Sequence, residues 1–220
     1  MAIRVTVDIV VFTFANAALK VLLVRRKRTP HRGRMALPGG FIGEREPLEH
    51  AALRELKEET GLRVMTAEQI GSFDDPRRDP RGRTVSVVHL ALVAAAPAPR
   101  GGSDASQAAW LPVGKLPPLA FDHKQIIACA LERLRDKLDY SSAGFQLLPR
   151  KFSLPELQTL YEAVLGHKLD KRNFRKKMAL LGILKPLMEW RHTGRKPARL
   201  YSLIPKKFEK FKDKGILFPF

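Results

Sequence analysis

The chain has 220 residues, of which 45% are hydrophobic, so it is long enough for one large domain or two small ones and has an ordinary globular composition. Its only cysteine, Cys129, excludes an internal disulfide and a metal cluster held by several thiolates. The formal net charge is +18, and residues 146–220 contribute +12 of it, with 18 Lys and Arg against 6 Asp and Glu. This asymmetry predicts a polyanionic partner for the last third of the chain, although basic charge alone also fits a membrane surface.

The N-terminal stretch predicts a β-hairpin. Val5–Phe14 and Leu19–Arg25 are rich in β-branched and apolar residues, and Asn16–Ala18 is a plausible turn between them. Arg4 and Asp8 interrupt the first run, which also lacks the small-residue cleavage site of a signal peptide. Since no apolar run reaches the length of a membrane span, we expect a cytoplasmic protein.

A glycine turn and an acidic helix follow the hairpin. Leu37–Gly40 brings bare backbone close to whatever lies beside it. Pro47 and Gly61 are typical of the start and the end of a helix. On this helix Glu55, Glu58 and Glu59 lie three and four residues apart and share a face, and Arg54 pairs with Glu58 across one turn.

Three carboxylates on one helical face repel each other unless a cation neutralises them. Hard oxygen ligands suit Mg²⁺ or Mn²⁺, and these ions also hold phosphate oxygens. A solvated acidic helix face is the alternative interpretation, but it does not explain the glycines, the distant Glu46 and the Arg–Glu pair together. We therefore predict metal ligation by Glu55, Glu58 and Glu59.

The spacing from Gly40 through Glu46 to Arg54–Leu62 matches the Nudix box at every specified position, so the chain resembles the Nudix hydrolases. The resemblance implies an α/β fold, the Nudix α/β/α sandwich, with Mg²⁺ or Mn²⁺ as cofactor. It also implies hydrolysis of a pyrophosphate by metal-activated water. In that reaction Glu55, Glu58 and Glu59 would ligate the ions or act as base, and Arg54 would orient them.

The rest of this domain is predicted as strands and one helix. Strands are expected from Val64 onward, at Val85–Val93 and at Trp110–Val113, with a polar loop at 73–82 and a helix that ends at Leu138. The phrases Arg78–Gly82 and Leu119–His123 resemble Nudix enzymes that cleave ADP-ribose. The resemblance implies substrate binding by residues of the glycine turn and this loop, namely Gly39, Gly40, Arg78 and Arg81. A charged turn is the alternative for the two arginines, and a local hydrogen bond is the expected role of His123.

Beyond a linker at 139–152, two capped helices are predicted. Ser153 and Glu156 open the first, and Asp170 and Gly182 bound the second. Phe174 and its neighbours at helical spacing form the packed side of the second helix, whereas the other side is basic. Two strands, Leu187–Arg191 and Leu200–Leu203, flank a basic tip at 192–197.

This order of elements predicts a winged helix-turn-helix at 153–220, after a Nudix domain at 1–138. A recognition helix needs long basic side chains near its N-terminal half, which reach into a DNA groove. The candidate DNA-binding residues on this helix and on the wing are Lys171, Arg172, Asn173, Arg175, Lys176, Arg195, Lys196 and Arg199. A basic appendage that adds only solubility or dimer contacts is the alternative. The lysines from Lys206 to Lys214 are predicted to form an electrostatic tail.

A Nudix domain joined to a winged helix resembles the Nudix-related transcriptional regulators of NAD metabolism, the NrtR family. The segment 169–177 and the wing around 194–201 carry this resemblance together with the box. It implies a homodimeric repressor that binds a palindromic operator of NAD biosynthesis or salvage genes and is released by ADP-ribose or a related nucleotide. The alternative hypothesis is a Mg²⁺-dependent ADP-ribose pyrophosphatase with an auxiliary basic domain.

Overall fold

The structure, a computed structural model, describes residues 2–94, 96, 98–99, 105–192 and 197–213, with the backbone alone at 105–106 and 210–213. The strands are β1 (Arg4–Ala15), β2 (Ala18–Arg26), β3 (Met35–Ala36), β4 (Gly39–Phe41), β5 (Glu68–Phe73), β6 (Thr84–Val93), β7 (Ala105–Pro112), β8 (Phe152–Ser153), β9 (Leu184–His192) and β10 (Pro197–Leu203). The helices are α1 (Leu48–Thr60), α2 (His123–Tyr140), α3 (Ala143–Gln146), α4 (Leu154–Leu165), α5 (Lys171–Leu181) and α6 (Pro205–Asp213). The chain divides into two compact units, residues 1–13 with 20–131 and residues 14–19 with 132–220.

The first unit is built on a mixed β-sheet. Its main path runs β3-β2-β1-β6-β5, while β4 pairs with β1 and β7 pairs with β2. β1 is central and pairs in parallel with β6 from Arg4 to Thr13, which explains why residues 6–13 are buried without interruption. The predicted hairpin is confirmed, because Asn16 and Ala17 both have positive φ, 54° and 58°, as a tight hairpin turn requires.

Helix α1 is anchored through one apolar stripe. Ala52 and Leu56 are fully buried in a cluster that includes Val7 and Ile9 of β1. Gly61 ends the helix in the left-handed conformation, with φ 70°, and its N–H donates to Lys57 O. The predicted helix bounds are therefore confirmed, and packing of this stripe fixes which carboxylates face the sheet.

The second unit is helical with a small sheet of order β8-β10-β9. Ser153 and Glu156 form the predicted capping box at the start of α4, and Asp170 accepts from the N–H groups of Arg172 and Asn173 at the start of α5. Tyr161 of α4 packs edge-on against Phe174 of α5, with ring centroids 5.8 Å apart. The order helix, helix and hairpin is that of a winged helix.

Several element boundaries differ from those that the sequence predicts. β5 begins at Glu68 rather than at Val64, and β7 begins at Ala105 rather than at Trp110 because it pairs with β2 as far as Arg26. β9 begins before Pro186, a residue that an edge strand tolerates because its missing N–H can face away from the ladder.

The segment predicted as a linker and the start of the predicted C-terminal tail both contain helices. Within 139–152, which is predicted as a linker, α3 forms and Leu147 and Leu148 are buried. The first unit ends at residue 131, which lies inside α2. Helix α2 itself extends to Tyr140, so it covers the first two residues of the predicted linker. The predicted electrostatic tail instead begins as helix α6, whose Phe208 is buried against Ile183.

No membrane-crossing helix occurs in the described ranges, where each helix is too short or too polar for that role.

Candidate functional site

A pocket in the first unit brings together the glycine turn, the acidic helix and the Arg78–Arg81 loop. Its wall includes Gly39, Gly40, Glu59, Arg78 and Arg81, so both predicted substrate-binding groups line one cavity. A glycine is favoured at position 40 because the Glu55 carboxyl comes so close to the turn. A Cβ on Gly40 would lie 2.6 Å from Glu55 Cδ.

Arg54 ties three carboxylates together beside this pocket. Its Nε and Nη2 donate to Glu46 at 2.8 and 2.9 Å, and its Nη1 donates to Glu55 at 2.8 Å and to Glu58 at 3.3 Å. Hydrogen bonding to Arg54 is the largest cause that lowers the pKa of Glu46, to about 2. Glu46, which lies just before α1, therefore holds Arg54, and Arg54 in turn orients Glu55.

Glu59 and Glu55 differ from Glu58 in burial and in electrostatics. Glu59 is 9% exposed and accepts from Gly39 N–H at 3.1 Å. The pKa of Glu59 is raised to about 8, mainly by burial. The hydrogen bond from Gly39 lowers this pKa, whereas the charges of Glu55 and Asp8 contribute to raising it. Burial also raises the pKa of Glu55, with Arg54 opposing. The side chain of Glu58 is about half exposed.

The oxygen ligands of these carboxylates suit a hard divalent cation, but the side chains are not already arranged around a metal position. In the described part of the chain, no three His, Cys, Asp or Glu side chains are arranged as a ready set of metal ligands. Glu55 and Glu59 repel each other, and a cation between them would relieve that repulsion. Ligation by all of Glu55, Glu58 and Glu59 stays a prediction.

Replacing Glu59 with Gln is expected to stabilise the metal-free protein at high pH. The carboxyl is protonated in the fold up to about pH 8 but ionises near its ordinary value of 4.5 when the chain unfolds. The folded state then binds more protons, so stability falls as pH rises through this window, and Gln removes that loss. We expect a gain of about 1–3 kcal/mol at pH 9 and almost none at pH 5, measured by urea unfolding in EDTA.

Glu58→Gln is the matched control, since it removes a half-exposed carboxyl from the same helix. A Glu59→Gln variant that is no more stable at pH 9 than Glu58→Gln would contradict the argument.

Arg78 is held by carboxylates at the base of the pocket. Its Nε and Nη2 donate to the two oxygens of Asp122 at 2.9 and 2.8 Å, and Nη2 also lies 3.4 Å from Asp8 Oδ2. The Arg78 side chain is 4% exposed. Asp122 lies 44 positions away, and local sequence spacing carries no signal for this pairing.

His123 is a hydrogen-bonding residue, as the sequence predicts, but its partner is 86 positions away rather than local. Its Nδ1 accepts from Leu37 N–H at 2.8 Å, which ties the glycine turn to the start of α2. Burial lowers the pKa of His123, so the ring is neutral and its proton lies on Nε2, which is 3.5 Å from Asp8 Oδ1.

Sequence reasoning missed an aromatic and cationic wall of the pocket. Phe41, Phe121 and Arg26 all line it. The guanidinium of Arg81 is bound by both oxygens of Asp79, at 3.0 and 2.7 Å, and lies near both rings. The sequence signals that could have found this wall are the basic run Arg25–Arg28 before the glycine turn and the phrase Leu119–His123.

The candidate DNA interface is the basic side of α5 in the second unit. Phe174 and Met178 are 2% exposed and anchor the helix. The five predicted DNA-binding residues of α5 are all exposed, namely Lys171, Arg172, Asn173, Arg175 and Lys176. This separation between an apolar side and a cationic side is what a groove-binding helix needs.

Of the three predicted DNA-binding residues on the wing, the structure describes Arg199. Arg199 donates from Nε to Leu187 O at 2.8 Å, so part of its guanidinium supports the hairpin. Arg191 pairs with Glu156 at 2.8 Å and fastens β9 to the capping box of α4. The predicted residues Arg195 and Lys196 lie outside the described residues.

Comparison with known families matches both units. Residues 2–130 match the family described as NUDIX domain, and residues 144–203 match the family described as NrtR DNA-binding winged helix domain. A curated relative from Acinetobacter baylyi, described as an ADPR responsive transcriptional repressor, is 34% identical over 93% of this chain and 83% of its own length.

Solved structures agree with these matches. The crystal structure of Shewanella oneidensis NrtR complexed with a 27mer DNA has a TM-score of 0.78 at 37% identity, and the match covers 97% of both chains. The NUDIX domain of that protein complexed with ADP ribose has a TM-score of 0.57 at 41% identity, over 61% of this chain and 90% of that one.

Proposed function

The chain belongs to the NrtR family of Nudix-related regulators, and from that membership we propose that it is a DNA-binding transcriptional repressor released by ADP-ribose or a related NAD-derived nucleotide. The observation that carries the proposal is one chain with a carboxylate-lined pocket in its Nudix unit and an exposed cationic α5 in its winged helix. A pyrophosphatase alone has no use for a capped helix with a basic face and a supporting hairpin.

The division of labour follows the predicted domains. Residues 1–138 would sense the nucleotide, 139–152 would connect, and 153–220 would bind DNA, within a cytoplasmic homodimer on a palindromic operator of NAD biosynthesis or salvage genes. A two-fold dimer would set two α5 helices in successive major grooves. The effector can release DNA only if its binding lowers the affinity of the protein for DNA. Thermodynamic linkage then requires that DNA lower the affinity for the effector by the same factor.

We propose Mg²⁺ or Mn²⁺ as the cofactor, held by Glu55, Glu58 and Glu59. When bound, the ion would neutralise phosphate charge and activate water. Arg54 orients Glu55 and Gly39 N–H holds Glu59. The bare backbone of the glycine turn would leave room for the phosphates.

A fluorescence-anisotropy titration tests the function directly. Purified protein is titrated onto DNA from upstream of its own gene and of neighbouring NAD-salvage genes, at fixed moderate salt with nonspecific competitor. Addition of ADP-ribose is expected to weaken specific binding about 5- to 150-fold. Binding no tighter than to random DNA, and unaffected by ADP-ribose, would reject the repressor.

Hydrolysis of ADP-ribose is the second candidate activity, favoured by the complete carboxylate and Arg54 arrangement beside the pocket. With Mg²⁺ the wild-type protein is then expected to release AMP. Glu58→Gln should lower the rate about 10²- to 10⁴-fold, because it removes one of the three carboxylates that would ligate the ions or act as base. Chromatography of the products measures the rate. If the wild-type protein releases no AMP, hydrolysis is rejected and the pocket would serve only to bind the nucleotide.

A further inference from the structure

The wall of the pocket carries guanidinium groups and aromatic rings in alternation. The guanidinium carbon of Arg81 lies 5.4 Å from the ring centroid of Phe41 and 5.8 Å from that of Phe121. The guanidinium carbon of Arg26 lies 4.8 Å from the same Phe121 centroid. Two cations therefore share one aromatic ring on the wall of a pocket.

The two cations are not equally neutralised. Asp79 holds Arg81 with both carboxylate oxygens. The Nε of Arg26 donates to the neutral carbonyl of Pro30 at 2.9 Å, and within the described ranges no carboxylate lies at ion-pair distance from Arg26. Burial lowers the pKa of Arg26, and the charge of Arg81 lowers it further. A cation in this position is stabilised by an anion that enters the pocket.

The aromatic ring is held in place by an uncommon backbone conformation. Phe121 has φ 49°, and His31, whose ring packs edge-on against it at 4.8 Å, has φ 62°. Bulky residues rarely adopt this left-handed region, and the surrounding structure must enforce it. Such strain is concentrated at ligand sites, where it fixes a contact group in advance.

We propose that Arg26, together with Arg81 on the shared Phe121 ring, is the specificity-determining element that selects a diphosphate over a monophosphate in this pocket. The inference rests on the proposed function, since it assumes that ADP-ribose enters here. A diphosphate presents two adjacent anionic groups, and the two guanidinium groups at the Phe121 ring would match them with charge-assisted hydrogen bonds. Arg78 does not serve this purpose, because its side chain is only 4% exposed and is held by Asp122 and Asp8, whereas the Arg81 side chain is 37% exposed.

Calorimetry on the full-length protein tests the assignment. The ligands are α,β-methylene ADP-ribose, whose P–C–P bridge resists cleavage, and AMP, both with Mg²⁺. Arg26→Gln is expected to weaken the diphosphate analogue about 10- to 100-fold and AMP less than about 3-fold. Arg25→Gln is the matched control, since the preceding arginine is exposed, lines a different cavity and donates to Gly33 O. It should change neither affinity by more than about 3-fold.

The outcomes separate the two proposals. An Arg26→Gln variant with wild-type affinity for the analogue would overturn this inference and leave the repressor proposal intact. Equal losses for the analogue and AMP would also overturn it, because they indicate general damage to the pocket rather than selection. Wild-type protein that binds neither ligand would contradict the proposed function itself. Thermal unfolding of each variant within a few degrees of the wild type verifies that the fold is retained.

Discussion

Replacing both Arg172 and Arg175 with Ala is expected to abolish specific operator binding while nucleotide binding is unchanged. Both side chains are exposed on α5, and the helix itself is held by Phe174, Met178 and the Asp170 cap, none of which the substitutions touch. Each DNA contact of this type contributes about 1–3 kcal/mol, so the operator affinity should fall by roughly 30- to 10⁴-fold. Anisotropy measures the DNA affinity and calorimetry the ADP-ribose affinity.

The salt dependence of binding distinguishes what the two arginines contact. If both neutralise phosphates, the slope of log K against log salt should become less steep by about 1.8, whereas base contacts leave it nearly unchanged.

Lys185→Ala with Lys207→Ala is the matched control for this experiment. It removes two exposed charges from the same unit, on β9 and α6 rather than on α5. Loss of operator binding equal to that of the α5 variant would show that total charge, and not a recognition helix, is responsible. Wild-type affinity in the α5 variant would reject α5 as the DNA-binding element.

Gly39→Ala is expected to produce a repressor that still binds the operator but no longer responds to ADP-ribose. A Cβ at this position would collide with the Val7 carbonyl oxygen and lie 2.7 Å from Asp8 Oδ1. Both belong to the central strand β1, which is paired on either side and cannot yield, so the glycine turn must move. Its displacement removes the Gly39 N–H from Glu59 and closes part of the pocket.

We expect ADP-ribose affinity to fall at least about 100-fold, because the displaced turn would occupy part of the pocket. The free energy of unfolding should fall by about 1–3 kcal/mol, as is typical of overpacking. The measurements are calorimetry, urea unfolding and anisotropy with and without the nucleotide. Gly71→Ala is the control, because Gly71 also lies in a strand of the first unit but has no atom within 4 Å of the added Cβ. Normal induction in Gly39→Ala would contradict the placement of the effector in this pocket.

Together these variants test whether sensing and DNA binding are separable. The α5 variant should bind the nucleotide without the operator, and Gly39→Ala should bind the operator without the nucleotide. A single variant that loses both properties without unfolding would mean that the two sites are not separate.

Features that depend on residues a few positions apart were predictable from the sequence. The Ser153–Glu156 capping box, the Asp170 cap, the left-handed ends at Gly61 and Gly182 and the Arg54–Glu58 pair all form as expected. Each is decided by local backbone geometry, in which the partner is found within one helical turn. The Nudix box and the winged-helix order are patterns of this kind, so family and fold class followed from them.

The interior of the pocket was decided only by the tertiary structure. The partners of Arg78 lie 44 and 70 positions away, and Arg26 meets Phe121 only because the chain returns to this end of the sheet at the start of α2. Local spacing cannot state which of several arginines a distant carboxylate will neutralise, and that choice determines which guanidinium remains for the ligand. The sequence by itself thus determined the elements and the chemical types of the site, and long-range packing decided which charges are satisfied within the protein and which face the pocket.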